Sequence, residues 1–155
     1  MDLFKEAADK MVIYQLRTAW LNIAKLYNDI TAQYDGTISM AFVLLAIYED
    51  EGTPVTKIAP RIGMEPNSLS RVLKALEEKK IIKRKKDKTD SRIVKIKLTE
   101  KGIKLRKFAL KSVFNLEKII HAKIDEKDLE SFFKVMCTIP VALEEFIALQ
   151  EQQGK

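Results

Sequence analysis

Residues 56–98 have the sequence TKIAPRIGMEPNSLSRVLKALEEKKIIKRKKDKTDSRIVKIKL, and this stretch contains the pattern that decides the fold. A very short helix is predicted first, capped by Thr56 and stopped at Gly63, which tolerates the left-handed backbone of a helix end. Pro66 then stands where a helix can begin, because its missing N–H is not needed there. A second helix is predicted over 66–79, so the stretch begins with two helices joined by a tight turn.

The second half of the stretch predicts a small β-hairpin with strands at about 82–86 and 92–98. In the later strand Val94, Ile96 and Leu98 alternate with lysines, which is the period of a half-buried strand. The polar residues DKTDS form the turn between the two strands. Two helices, the turn between them and a hairpin directly afterwards predict a helix-turn-helix followed by a wing.

A long helix is predicted before this unit. Apolar residues recur at spacings of three to five from residue 3 to about 34, and Gly36 suits the left-handed position that ends such a helix. Ser39 is predicted to cap a further helix over 40–50, whose nearly continuous apolar run indicates a central, buried position.

Long helices are predicted after the wing as well. Thr99 is expected to cap a helix that runs to about 122, and Asp125 to begin a final helix in which Pro140 causes a kink or a break. The predicted fold class is therefore mainly α with a small β-wing: a winged helix-turn-helix core plus long N- and C-terminal helices. The length of 155 residues suits one domain, or one domain with an appended helical element.

Positive charge is concentrated in residues 79–98, which hold ten basic and two acidic side chains. This segment has a net charge of +8, whereas the rest of the chain sums to −2. A local basic patch on a nearly neutral body indicates a polyanion bound at one place. A solvated lysine-rich turn is the plainer interpretation of the same charge.

The helix PNSLSRVLKALEEK is predicted to divide into an apolar and a polar face. At 100° per residue, four apolar side chains fall within an arc of ~100° and must face a core: Leu69, Val72, Leu73 and Leu76. The opposite side carries Asn67, Arg71, Lys74 and Glu78, flanked by Ser68 and Ser70. Short polar residues and cations on the first turns of a helix suit the major groove of DNA. An ordinary amphipathic surface helix is the alternative.

Residues 38–102 resemble the winged helix-turn-helix core of the MarR family of bacterial transcription regulators. The family's wing pattern, Asp-x-Arg, a strand and Leu-Thr-x-x-Gly, occurs here as Asp90, Arg92, Leu98, Thr99 and Gly102. The resemblance implies a sequence-specific, double-stranded DNA-binding regulator that acts as a homodimer on a pseudo-palindromic operator. It also implies three segments: an N-terminal dimerisation helix at 1–36, the DNA-binding domain at 37–99 and C-terminal dimerisation helices at 100–155.

The resemblance further implies roles for individual residues. Arg92 would enter the minor groove from the wing tip, oriented by Asp90, in keeping with the negative potential of a narrow groove. The recognition helix would contribute Asn67, Ser68, Ser70, Arg71 and Lys74; the wing Arg84, Lys85 and Lys86; and the short helix Lys57 and Arg61 as further backbone contacts.

Many members of that family release DNA when a small aromatic or phenolic compound binds beside the dimer helices, so a repressor with such an effector is expected. Four aromatic residues are candidates for the pocket, although an aromatic stripe at helical spacing more often serves core or dimer packing: Trp20, Tyr27, Tyr34 and Phe42. Cys137, the single cysteine, lies among apolar residues and is predicted to be a buried small hydrophobe.

Other functions find little support in the sequence. No phosphate loop, paired-carboxylate motif or nucleophile elbow is present, so no enzymatic activity, cofactor or metal is predicted. The start MDLFKEAADK is unlike a signal peptide and no apolar run could span a membrane, which predicts a cytoplasmic protein. Two rivals to duplex DNA remain: a winged-helix protein-interaction module without DNA binding, and RNA binding, which usually requires exposed aromatic residues.

Overall fold

A computed structural model describes residue 4 and residues 7–87 and 89–153 of the chain. The described residues form two compact units, one up to residue 110 and one from residue 111 onward. The helices are a 3-10 turn at Ala8–Lys10, α1 (Val12–Ala32), α2 (Ile38–Ala46), α3 (Val55–Ile62), α4 (Pro66–Glu78), α5 (Glu100–His121) and α6 (Glu126–Gln153). The strands are β1 (Thr53–Pro54), β2 (Ile82–Lys86) and β3 (Val94–Leu98). The predicted fold class is confirmed.

The core of the first unit lies where α2, α3 and α4 pack against the sheet. Its fully buried side chains come from every one of these elements: Val43, Ile47, Ile58, Leu73, Leu76, Ile82 and Ile96. The predicted apolar face of α4 is part of this core, since Leu69, Leu73 and Leu76 are buried and Val72 is half-buried. Burial of this face holds α4 on the unit and leaves its polar side in solvent.

The N-terminal helices differ from the sequence prediction at their ends. The predicted continuous helix is a 3-10 turn followed by α1, with extended backbone at Met11 between them. The cap of α2 is Thr37 and not Ser39, because the Thr37 hydroxyl accepts the N–H of Met40 at 3.3 Å. Residues 3, 5 and 6 of the predicted helix lie outside the described residues.

The helix-turn-helix is formed by α3, a short turn and α4. Gly63 ends α3 with φ +61°, as predicted, and Pro66 is the first residue of α4. Thr56 does not cap α3; the helix begins one residue earlier, with Pro54 in the extended conformation before it. Pro60 is the sixth residue of α3 and lacks the N–H that would bond to the carbonyl oxygen of Thr56, so this short helix forms without that bond.

Three antiparallel strands form the wing sheet in the order β1-β3-β2. The predicted hairpin pairs Ile82 with Leu98 and Lys86 with Val94. The sequence prediction missed β1, a two-residue strand in which Thr53 pairs with Ile96. The approach of β1 requires Gly52, since a Cβ at that position would lie 2.6 Å from the carbonyl oxygen of Ile96, and its φ is +75°.

The second unit contains the end of α5 and all of α6, and it differs from the prediction at Cys137. The helix α6 continues through Pro140, so of the predicted kink or break the break does not occur. Cys137 is exposed, whereas a buried position was predicted. None of the described residues of α6 is buried. Of the apolar neighbours that suggested a core around Cys137, Phe133 and Val135 are exposed and Met136 and Ile139 are half-buried. No helix in the part of the chain that the structure describes has the length and apolar character of a membrane span.

The substitution Gly102→Ala should lower the free energy of unfolding, because a Cβ there would stand 2.2 Å from the backbone carbonyl oxygen of Ile81. Overpacking against backbone costs typically about 1–3 kcal/mol. Urea denaturation followed by circular dichroism measures this change. Lys104→Ala, at an exposed position of the same helix, is the control and should change stability by less than about 0.5 kcal/mol. Equal stability of the two variants would contradict the close approach.

Candidate nucleic-acid interface

The exposed face of α4 carries the polar side chains that were predicted for it. Asn67, Ser70, Arg71 and Lys74 are exposed and Ser68 is half-buried. The Ser70 hydroxyl donates to the carbonyl oxygen of Pro66 at 3.0 Å, and Arg71 Nη2 lies 3.5 Å from Ser68 Oγ. These local contacts leave the guanidinium of Arg71 accessible on the first half of the helix. Such a face can meet the edges of bases or phosphates.

The strand alternation of the wing divides its cations between two faces. Ile82, Arg84 and Lys86 point to the face that packs on α4, because Ile82 is buried and Arg84 Nε lies 3.1 Å from Glu77 Oε2 of α4. Lys85 points to the opposite face, together with Lys83. The three predicted wing cations therefore do not share one face, and Arg84 connects β2 to α4.

The opposite face of the wing sheet carries four lysines in two cross-strand pairs, Lys83 with Lys97 and Lys85 with Lys95. Like charges directly opposite each other repel. Two of these lysines are engaged elsewhere: Lys95 Nζ lies 2.6 Å from Asp87 Oδ2, and Lys97 Nζ donates to the carbonyl oxygen of Asp50 at 3.3 Å.

The remaining cations of the strands are exposed and unpaired. Among residues 7–87 and 89–153, no carboxylate forms an ion pair with Lys83, Lys85 or Lys86. Lys88 lies outside the described residues. Three exposed, unpaired ammonium groups on a short hairpin are suited to phosphate contacts that do not depend on sequence.

The loop between β2 and β3 is organised by two aspartates. Asp90 Oδ1 accepts both the backbone N–H of Arg92 at 3.0 Å and its Nε–H at 3.1 Å, while Asp90 Oδ2 accepts from Nη2 at 3.2 Å. This bidentate contact is the one by which Asp90 was expected to orient Arg92. The side chain of Arg92 is otherwise 89% exposed.

Asp87, at the start of the same loop, was not among the predicted site residues. Its Oδ1 accepts the backbone N–H groups of Thr89 at 2.9 Å and Asp90 at 3.2 Å, and its Oδ2 contacts Lys95. An aspartate that bonds to the backbone two and three residues later is a recognisable turn signal, so the sequence contained a hint of this role.

The pKa values of both aspartates reflect these contacts. The hydrogen bond from Lys95, and then those from the backbone N–H groups of Thr89 and Asp90, hold the pKa of Asp87 far below its ordinary value of 3.8. The guanidinium of Arg92, and then its backbone N–H, lower the pKa of Asp90. The bond to Asp87 raises the pKa of Lys95. At neutral pH all of these groups are charged.

The other predicted site residues lie on separate elements of the first unit. Lys57 and Arg61 are exposed on α3, and the Arg61 guanidinium lies 4.6 Å from the ring centre of Tyr48. Three of the predicted pocket residues take part in ring contacts. Trp20 stacks on Phe42 with ring centres 6.0 Å apart, and the ring centres of Tyr34 and Phe108 are 4.5 Å apart. Tyr27 is half-buried on α1.

Comparison with known proteins decides the family. The family model described as "MarR family" matches residues 37–94. The HTH-type transcriptional regulator SarZ of Staphylococcus epidermidis is 31% identical over 115 residues, which cover 71% of this chain and 78% of SarZ. The chain belongs to the MarR family. Members of that family are transcriptional regulators without enzymatic activity, so the chain is a regulator and not an enzyme.

Other relatives match this chain in sequence or in fold. The HTH-type transcriptional regulator TtmR of Methylorubrum extorquens is 30% identical over 97 residues, or 63% of this chain, and the chain spans only 50% of it. The structure of the S. aureus MepR–DNA complex matches with a TM-score of 0.78 and 23% identity, over 87% of this chain and 98% of that one. CouR from Rhodococcus jostii RHA1, bound to p-coumaroyl-CoA, matches with a TM-score of 0.76 and 20% identity, over 86% of this chain and 94% of CouR.

The carboxylate of Asp87 in the wing loop is expected to become protonated only in acid. Since the folded pKa of Asp87 lies below its ordinary value of 3.8, its contribution to loop stability is complete above that value and is lost as pH falls through the folded pKa. The ¹³Cγ signal of Asp87 should therefore titrate at lower pH than in an unfolded peptide of residues 84–95. Lys95→Met should move this midpoint upward and leave the Arg92–Asp90 contact in place. A midpoint for Asp87 that is the same in the protein and the peptide would contradict the contacts described.

Proposed function

We propose that the chain is a homodimeric transcriptional repressor that binds a pseudo-palindromic DNA operator through α4 and the wing and is released by a small aromatic or phenolic effector. The observation that carries the proposal is the attachment of the wing to the recognition helix by the Arg84–Glu77 ion pair. This contact joins an exposed polar helix face to a hairpin with unpaired lysines, so one packed unit offers both kinds of DNA contact.

The proposed contacts divide into reading and positioning groups. Arg71, with Asn67, reads base edges in the major groove, while Ser68, Ser70 and Lys74 contact the backbone nearby. Arg92 enters the minor groove from the wing, where negative potential favours arginine. Lys85 and Lys86, with Lys57 and Arg61 of α3, neutralise phosphates. Arg84 contributes mainly by holding the wing to Glu77, with its remaining N–H groups directed at the backbone.

Dimerisation is proposed through the helices outside the winged unit, with segments 1–36 and 100–155 as dimerisation helices and 37–99 as the DNA-binding domain. Support comes from α6, on which large apolar side chains are exposed: Phe132, Phe133, Val141, Leu143, Phe146 and Ile147. Apolar surface of this extent is stabilised when a partner covers it. Two copies would present their recognition helices about one DNA turn (~34 Å) apart.

Release by an effector is proposed at the aromatic side chains of α1 and α2 and the turn between them, Trp20, Tyr27, Tyr34 and Phe42. The fold relative CouR is described with p-coumaroyl-CoA bound, and the phenolic ring of that thioester is the feature that supports an aromatic ligand here. A ligand that binds better to the DNA-free arrangement weakens DNA binding by its difference in affinity between the two states. A regulator that acts on bacterial DNA works in the cytoplasm, which we propose as its location.

The proposed function is tested by fluorescence anisotropy with labelled duplexes. A 30-bp duplex enriched by the wild-type chain from a random library should bind more tightly than a scrambled duplex of the same composition. Affinity for both should fall steeply between about 50 and 200 mM salt, as expected for several phosphate contacts. At stoichiometric concentrations the enriched duplex should bind two chains. Failure to enrich any duplex, or binding that does not change with salt, would favour the protein-interaction module, and tighter binding to RNA would favour the other rival.

Two variants separate reading from positioning. Arg92→Ala should weaken binding to the enriched duplex by about tenfold or more, the scale of one lost specific contact, with little change in thermal midpoint because its side chain is exposed. Lys86→Ala should weaken both duplexes equally and reduce the salt slope by about one contact. Lys127→Ala, which replaces an exposed lysine of α6, is the control and should leave the affinity for both duplexes unchanged. A thermal shift in Arg92→Ala as large as its loss of affinity would make Arg92 structural.

A further inference from the structure

Asp87 and Lys95 form a charged pair at the base of the loop that presents Arg92. Their side chains are only 14% and 27% exposed, less than any other charged pair of the hairpin. Asp87 N–H donates to the carbonyl oxygen of Ile93 at 2.8 Å, which closes the loop between the two strands. The pair therefore lies at the point where the paired strands end and the loop begins.

Contacts lead without interruption from this pair to Arg92. The carboxylate of Asp87 holds the backbone N–H of Asp90 at 3.2 Å, and the carboxylate of Asp90 holds the guanidinium of Arg92 at two points. Asp90 also accepts the N–H of Ile93 through its carbonyl oxygen at 3.0 Å. Displacement of Asp87 would thus move the residue that orients Arg92.

The charge of Asp87 is opposite to what phosphate binding requires. In a hairpin with several unpaired lysines, a carboxylate repels the DNA backbone, and its contact with Lys95 occupies a cation that could otherwise bind phosphate. Electrostatics alone would therefore predict tighter DNA binding when Asp87 is neutralised. The Asp87 carboxylate weakens the attraction for DNA, yet it contacts two loop N–H groups and Lys95. Its presence is therefore explained better by the geometry of the loop than by charge.

We propose that the Asp87–Lys95 pair is a positioning device that sets the wing loop so that Arg92 is presented to the minor groove, while neither residue contacts DNA. This inference rests on the proposed DNA-binding function. An exposed arginine on an unconstrained loop must lose backbone and side-chain freedom when it binds. The pair fixes part of that freedom before DNA arrives, so it acts on sequence discrimination more than on attraction.

Substitutions at the two positions change net charge in opposite directions, which makes the test sharp. Asp87→Asn keeps the Oδ1 acceptor for the loop N–H groups but loses the pair with Lys95, and Lys95→Met loses the same pair from the other side. Each should weaken binding to the enriched duplex by about three- to tenfold, within the range of coupling between contacting groups. Binding to the scrambled duplex should rise slightly for Asp87→Asn. The salt slope of Lys95→Met should equal that of the wild type.

A double-mutant cycle links the effect to Arg92. In an Arg92→Ala background, Asp87→Asn should change affinity for the enriched duplex by less than about twofold, because the group through which it acts is gone. Lys83→Met is the matched control: it removes an exposed, unpaired lysine from the same face of the hairpin. It should weaken both duplexes alike and leave discrimination intact. The Arg92 Nε–H signal in NMR spectra should move toward its solvent-exposed position in Asp87→Asn.

The outcomes separate this inference from the function on which it rests. If the wild-type chain shows no salt-dependent preference for any duplex, the proposed function fails. If the wild type does show that preference, two results would overturn the inference. One is an Asp87→Asn variant that binds both duplexes more tightly. The other is an Asp87→Asn substitution that lowers affinity by the same factor in the wild type and in the Arg92→Ala background. A fall in thermal midpoint that accounts for the whole loss would likewise overturn it, and Lys95→Met, which leaves the loop backbone contacts intact, provides the second measure.

Discussion

The carbonyl group of Ile81 is the contact on which the arrangement of the winged unit depends. It accepts the backbone N–H of Thr99 at 3.0 Å and the Thr99 hydroxyl at 3.0 Å, and Gly102 passes so close to it that no Cβ would fit. The same hydroxyl accepts the N–H of Gly102 at 3.1 Å and so caps α5. The end of the recognition helix, the wing and the following long helix are thereby joined at one point.

Further contacts converge on the end of α4. Lys80 adopts a left-handed φ of 55°, which reverses the chain after the helix and lets Ile81 N–H bond to the carbonyl oxygen of Leu76 at 2.9 Å. Lys79 forms an ion pair with Asp35 in the turn after α1, and the carbonyl oxygen of Lys79 accepts from Lys101 of α5. The N-terminal helix is consequently attached to the end of the recognition helix by a direct charged contact.

The basic hairpin shows that a count of charges overstates the positive surface. Several of its cations are occupied within the chain: Lys79 by Asp35, Arg84 by Glu77, Arg92 by Asp90 and Lys95 by Asp87. Those pairs hold the wing to its neighbours and shape its loop, while Lys83, Lys85 and Lys86 stay unpaired among the described residues. The hairpin thus combines fixed cations, whose geometry is set, with free ones that can follow a phosphate backbone.

Patterns along the chain were enough to predict the order of the long helices and the β2–β3 hairpin, the buried face of α4 and the family. These features depend on local periodicity, on residues with restricted backbone such as Gly63 and Pro66, and on a spaced motif, all of which are visible along the chain. Tertiary structure alone decided which cations are free, that β1 joins the sheet, that Thr37 caps α2, and that Cys137 is exposed. Each of these depends on which distant residue arrives beside a group, as Glu77 does beside Arg84, and a linear pattern does not contain that information.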